Sequence, residues 1–220
     1  MSIEENISAV KNALGGIATL VAVSKTKPAE DILQAYRAGQ RIFGENKVQE
    51  MCAKYEALPK DIEWHMIGHL QSNKVKYIAP FVSMIQSVDS FSLLRKIDAA
   101  AQKAGRTIDC LLEVKIAAED TKYGLTPVEA EEIISSGVAE GMQGVRLCGL
   151  MGMASNTDDV HQVRTEFSRL RKLFDTLREI HPGLDVLSMG MSGDYLAAVE
   201  CGSNMVRVGS GIFGARNYPL

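Results

Sequence analysis

Short apolar runs rich in β-branched residues alternate along this chain with longer stretches whose apolar positions recur at spacings of three and four. A period of two marks strands, and a period near 3.6 marks helices packed by one face. The strand pattern falls at residues 20–25, 41–46, 63–68, 84–90, 109–116, 145–153, 185–192 and 205–209. The helix pattern fills the gaps at 28–38, 47–57, 73–79, 90–104, 127–136, 158–180 and 194–200, with a further helix at Ile3–Leu14. Pro28 and Pro127 stand where a first helical residue is expected, and Gly39 and Gly105 where a helix ends. In the longest helix Val160, Val163, Phe167, Leu170, Phe174 and Leu177 form one stripe, which predicts a face packed on a sheet rather than a coiled-coil seam. Eight alternating units, with no low-complexity linker or internal repeat, predict an α/β chain folded as one (β/α)8 barrel over residues 1–220, in preference to an open doubly wound sheet. In such a barrel the active groups lie at the carboxyl ends of the strands.

Composition narrows the function. The 220 residues carry 24 Lys and Arg against 27 Asp and Glu, a formal charge of −3, with no basic stripe to neutralise phosphates, so nucleic-acid binding is not expected. At 46% hydrophobic and 23% charged the chain is an ordinary globular one. No apolar run approaches the roughly 20 residues that span a bilayer, and the acidic, polar start lacks the basic and apolar regions of a signal peptide. These features predict a soluble cytoplasmic protein. Cys52, Cys110, Cys148 and Cys201 are scattered singly and read as reduced thiols; Cys110 and Cys148, in apolar runs, read as small core residues.

Several segments carry chemistry. Strand alternation places Val21, Val23 and Lys25 on one face, so Lys25 ends the first strand in a partly desolvated position suited to a Schiff-base nucleophile; the same spacing also fits a surface lysine that reaches out to water. Lys27 is the weaker candidate because it directly precedes Pro28. The segment Ser188-Met189-Gly190-Met191-Ser192-Gly193-Asp194 joins a strand to a helix through small residues, so Ser192 can cap the helix while its hydroxyl and neighbouring amides face a phosphate. Capping alone would also explain it. In Arg207-Val208-Gly209-Ser210-Gly211-Ile212-Phe213-Gly214 the glycines admit backbone amides close to an anion, and both segments fall where barrels commonly bind phosphate. Gly209, Gly211 and Gly214 also match a dinucleotide fingerprint, but the helix, second strand and acidic residue about 20 positions further on are missing. His65 and His69 are spaced like two zinc ligands, yet Met66 stands where the catalytic glutamate would be and the segment reads as strand, which argues against a metal. Glu45, Asp89, Glu113 and Asp194 are too scattered to form an evident acid–base pair.

Taken together, Val23 to Pro28, Phe43 to Glu50, Trp64 to Lys74, Gly149 to Met153, Ser188 to Asp194 and Arg207 to Gly214 run in order across nearly the whole chain. In this combination the chain resembles the pyridoxal 5′-phosphate (PLP) homeostasis proteins. The resemblance implies a single barrel like the N-terminal domain of alanine racemase, a fold type III arrangement, with PLP at its carboxyl face. It implies Lys25 as the Schiff-base lysine, Ser192 and the Gly209 amide as phosphate contacts, Arg207 facing the pyridine nitrogen, Asn46 lining the pocket, and Ser210 as a further cofactor-binding residue. Glu113-Val114-Lys115-Ile116 departs from the more usual Val-Asn-Ile of the family, and Lys122 matches a commonly basic position. The implied function is a PLP carrier in vitamin B6 and amino-acid balance, without established turnover, that can hand PLP to apoenzymes. The alternative of the same fold is a PLP-dependent amino-acid racemase. Related racemases add a C-terminal β domain with a second acid–base group, whereas only residues 217–220 follow the glycine-rich loop, which favours the carrier.

Overall fold

The period-two runs close into a ring of eight parallel strands. In the computed structural model, which describes residues 1–118 and 123–214, these are β1 (Thr19–Val23), β2 (Ile42–Glu45), β3 (Glu63–Met66), β4 (Met84–Val88), β5 (Ile108–Glu113), β6 (Val145–Met151), β7 (Val186–Ser188) and β8 (Met205–Val208). Each pairs with its successor in sequence, and β8 returns to β1 with Met205 beside Thr19 and Arg207 beside Val21. The chain is therefore a closed (β/α)8 barrel. Every strand stops short of the carboxyl end that apolar patterning predicts, β1 at Val23 instead of residue 25 and β7 at Ser188 instead of residue 192. The residues beyond keep the sequence character of strand but leave the hydrogen-bonded ladder to build loops over the barrel mouth.

Between the strands lie α2 (Ala29–Arg37), α3 (Val48–Ala57), α4 (Val75–Ile78), α5 (Phe91–Lys103), α6 (Pro127–Ser135), α7 (Val160–Ile180) and α8 (Tyr195–Glu200); α1 (Ile3–Leu14) precedes the first strand and the single turn α9 (Ser210–Phe213) follows the last. End chemistry fixes several of them. Ser2 with Glu5 and Thr126 with Glu129 form reciprocal capping boxes, satisfying amides that the first helical turn leaves without partners. Pro127 opens α6 as expected, whereas Pro28 sits one residue earlier than predicted, as an extended N-cap before Ala29. The predicted helix at 73–79 is split into a 3-10 turn, Ser72–Lys74, and the short α4.

Alternation along the strands sorts side chains into two layers. Leu20, Ala22, Phe43, Trp64 and Leu112 face outward and meet the helices in the main core, where α7 contributes Val163, Phe167, Leu170, Phe174 and Leu177. Val160, predicted on the same stripe, is 59% exposed at the first turn of α7, beyond that packed face. Inside the barrel Val21, Met84, Leu111, Cys148, Met151 and Met205 form a smaller apolar plug. Near Cys148 the β5–β6 register slips, so that Cys110 and Leu111 pair with Leu147 and Gly149 and Cys148 is the extra residue. A side chain at Gly149 would begin 1.8 Å from the carbonyl oxygen of Val186, which is why this bulge holds a glycine. No helix among the described residues is long and apolar enough to cross a membrane.

Candidate functional site

The loops beyond the carboxyl ends of the strands enclose a cavity of about 760 Å³. Lys25, Asn46, Ser192, Arg207, Gly209 and Ser210 all line it, although they come from four different strand ends. A second cavity of about 400 Å³ lies at the amino ends of β1 and β2, where its buried Gln40 donates to the carbonyls of Leu20 and Ile42.

Lys25 is not on β1 itself. It is the second residue of a turn closed by the Lys27 amide donating to the Ser24 carbonyl at 3.0 Å, and Thr26, the third residue, has φ 64°. That region is costly for a β-branched residue, by roughly 1–2 kcal/mol, so the surroundings must hold it. They do so from α3. The buried Lys54 ammonium donates to the Ser24 carbonyl at 2.8 Å and to Glu45 Oε1 and Glu50 Oε1 at 2.7 Å each, and Glu50 Oε1 also accepts the Thr26 amide at 2.6 Å. Ser24 Oγ donates to Glu45 Oε1 at 2.6 Å, while Glu45 Oε2 is buried without a partner. Burial pushes the Glu45 carboxyl up against the opposing pull of Lys54. Lys27 also lines the cavity, but its ammonium donates to the carbonyls of Phe213 and Gly214.

The floor is a buried polar chain surrounded by the apolar plug. Arg207 donates from Nη1 to the Ser188 carbonyl at 2.9 Å and Oγ at 2.5 Å, and from Nη2 to the Gly152 carbonyl at 3.0 Å. Ser188 Oγ in turn donates to Gln86 Oε1 at 2.7 Å, and Gln86 Nε2 meets His65 Nδ1 at 3.0 Å. Desolvation lowers Arg207 to about 10, so it stays a cation at neutral pH, and lowers His65 to about 4, so the imidazole is neutral. His65 is thus an interior hydrogen-bonding residue. His69, four residues on and half exposed, instead pairs with Asp89 at 2.9 Å and stacks on Tyr123 with ring centroids 4.7 Å apart.

On the β7–β8 side, Ser192 does not cap α8; Asp194 occupies that position. The Ser192 hydroxyl accepts the amides of Gly209 and Gly211 at 3.1 and 3.2 Å, so the hydroxyl and the glycine-rich loop are one unit rather than two separate features. The sharp bend that allows this is made at Gly190, with φ 95° and too little room beside Tyr195 for a side chain. Glu113, read from sequence only as one of several scattered carboxylates and given no place in the site, also lines the cavity: burial raises it to about 7, with the Arg207 charge pulling the other way and Asp89 adding to the rise. Tyr123, Met153 and Asn156 were missed as well, though each lies a short way past β5 or β6, where the carboxyl-end rule points. Lys122 falls outside the described residues.

The alanine racemase N-terminal domain family matches residues 1–217. A pyridoxal phosphate homeostasis protein of Pasteurella multocida is 36% identical over 99% of both chains, and that of Aquifex aeolicus is 41% identical over 91% of this chain and 88% of the other. The chain belongs to the pyridoxal phosphate homeostasis protein family. Two structures of PipY from Synechococcus elongatus agree with this membership. The structure solved without PLP superposes with a TM-score of 0.92 at 36% identity, over 97% of this chain and all of that one. The structure with PLP bound gives 0.86 at 34%, over the same shares. Alanine racemase of Streptomyces lavendulae, at 19% identity and a TM-score of 0.79 over 99% of this chain and 58% of that one, shares the barrel fold with the family.

Proposed function

We propose that this chain binds PLP in the cavity at the barrel mouth, attaches it covalently through Lys25, and serves PLP homeostasis as a cytoplasmic carrier that passes the cofactor to apoenzymes. The observation that carries this reading is the meeting of three unlike groups in one cavity: the Lys25 amine, the buried Arg207 cation, and the Ser192 hydroxyl, which the Gly209 and Gly211 amides hold in place so that its own proton is left to donate. That donor set fits a planar aldehyde with a ring nitrogen at one edge and a phosphate at the other, and the PLP-bound PipY relative supports it. Bound PLP supplies an aldehyde carbon that condenses with a lysine amine, releasing water.

In this reading Ser192, Gly209 and Ser210 orient the phosphate end and Asn46 borders the ring. Lys25 is favoured over Lys27 because it follows the apolar run of β1 more closely, whereas Lys27 stands immediately before Pro28. Arg207 offers the ring nitrogen N–H donors only, and its fixed charge opposes a second positive charge there, which weakens the ring as an electron sink. Weak carbanion stabilisation suits binding and release better than racemisation.

The test is a visible-range spectrum of the PLP-loaded protein before and after borohydride reduction, with peptide mapping of the labelled lysine. The mapped label is expected on Lys25 and is lost in Lys25→Ala; a label resting mainly on Lys27 or Lys122 in the parent protein would refute the assignment. Loaded protein is expected to activate an apoenzyme while racemising, transaminating or decarboxylating no common amino acid. Turnover of about 1 per second or faster, abolished by Lys25→Ala, would establish the racemase-like alternative instead.

A further inference from the structure

Both neighbours of Lys25 are held by a single ammonium network rooted in α3. Lys54 has three protons and three acceptors: the Ser24 carbonyl, Glu45 Oε1 and Glu50 Oε1. On the near side of Lys25, Ser24 is tied twice, by its carbonyl to Lys54 and by its hydroxyl to Glu45. On the far side, the Thr26 amide is tied to the same Glu50 oxygen that Lys54 holds. Thr26 is the only described non-glycine residue with positive φ, so the clamp sits where the backbone most needs holding. The Lys54–Glu45 part of the network is dry: the two side chains are 9% and 0% exposed, and Glu45 Oε2 has no partner.

We propose that Lys54, acting through Glu45 and Glu50, is a positioning residue that clamps the Ser24–Thr26 backbone so that Lys25 is aimed at the ligand aldehyde. This rests on Lys25 being the site of covalent attachment. Lys54 itself does not line the cavity and touches no ligand in this reading. Its effect is centred on the attachment half of the site, because Lys54, Glu45 and Glu50 bond to Ser24 and Thr26, whereas the loops after β7 and β8 meet this turn through the Lys27 ammonium on the Phe213 and Gly214 carbonyls and through the β1–β8 pairing, neither of which involves Lys54.

Two ligands separate the halves: PLP, which can attach, and pyridoxine 5′-phosphate, which has the ring and phosphate but no aldehyde. Lys54→Met is expected to slow borohydride-trapped labelling of Lys25 by PLP about tenfold or more, while the affinity for pyridoxine 5′-phosphate stays within about twofold. Lys54→Arg, which keeps the charge and the donors, should recover part of the rate. Glu50→Ala removes the Thr26 acceptor at a partly exposed position and covers the case in which Lys54→Met does not fold. It should slow labelling and also speed hydrogen exchange at the Thr26 amide by about tenfold. Labelling of Lys25 at the parent rate in folded Lys54→Met or Glu50→Ala overturns the clamp, as does a parallel loss of pyridoxine 5′-phosphate affinity, which would mark a general structural defect. Absence of a Lys25 label in the parent protein overturns the clamp together with the attachment site, and so is told apart from failure of the clamp alone.

Discussion

At the scale of single residues, the cavity floor sets two titrating groups against each other. Glu113 is raised to about 7 by burial and His65 lowered to about 4. Between the ordinary carboxylate range and pH 7 the folded state holds a proton on Glu113 that the unfolded chain has released, so the Glu113 contribution to stability is full below that range and is lost as pH rises through about 7. For His65 the sign reverses: the folded state binds fewer protons, and stability is lost as pH falls from about 6.5 toward 4. The two slopes oppose each other where they overlap. Glu113→Gln is therefore expected to leave stability little changed at pH 5 and to gain up to about 3 kcal/mol over the parent at pH 8, as read by urea denaturation at both pH values. A gain of equal size at both would show that Glu113 does not titrate in this range.

At the scale of elements, α7 shows how a sequence stripe and a packed face part company. Phe167 is fully buried under the sheet, whereas Val160, on the same stripe by spacing, is largely exposed at the first turn. Periodicity reports which residues share a helix face but not how far the sheet beneath extends. Phe167→Ala is expected to cost about 3–5 kcal/mol by leaving a cavity, and Val160→Ala to stay within about 0.5 kcal/mol, both from denaturant unfolding. A similar cost for both would place the helix differently on the barrel. The strand ends teach the same lesson: residues 24–25 and 189–192 have the composition of strand, yet Ser24 is taken by Lys54 and Glu45, and Ser192 by the amides of Gly209 and Gly211.

At the scale of the whole molecule, the half of the site proposed to hold the phosphate is assembled because β7 and β8 are neighbours and the loops after them share the Ser192 hydroxyl. A phosphate that accepts from the Ser192 hydroxyl, or displaces it from the Gly209 and Gly211 amides, makes charge-assisted hydrogen bonds that pyridoxal cannot make. Non-covalent affinity for pyridoxal is accordingly expected to fall about tenfold to a hundredfold below that for the phosphorylated compound, measured by calorimetry with Lys25→Ala so that attachment does not contribute. Equal affinities would remove the phosphate from the role assigned to this loop.

Much of this was legible in the chain. The number and order of strands follow from local periodicity, because a two-residue or 3.6-residue repeat is imposed by backbone geometry wherever one face is buried. Lys25 and the glycine-rich loop could be singled out for the same reason: each follows an apolar run at a strand's carboxyl end. Tertiary structure alone decided the rest. Closure requires Arg207 to lie beside Val21, a pairing between opposite ends of the chain that no local pattern encodes. Closure also decides desolvation, and so turns His65 into a neutral interior residue, holds a proton on Glu113 near neutrality, and seals Lys54 between two carboxylates. Charge state and hydrogen-bond partner depend on what surrounds a group in three dimensions, and for these residues the surroundings come from strands and helices distant in sequence.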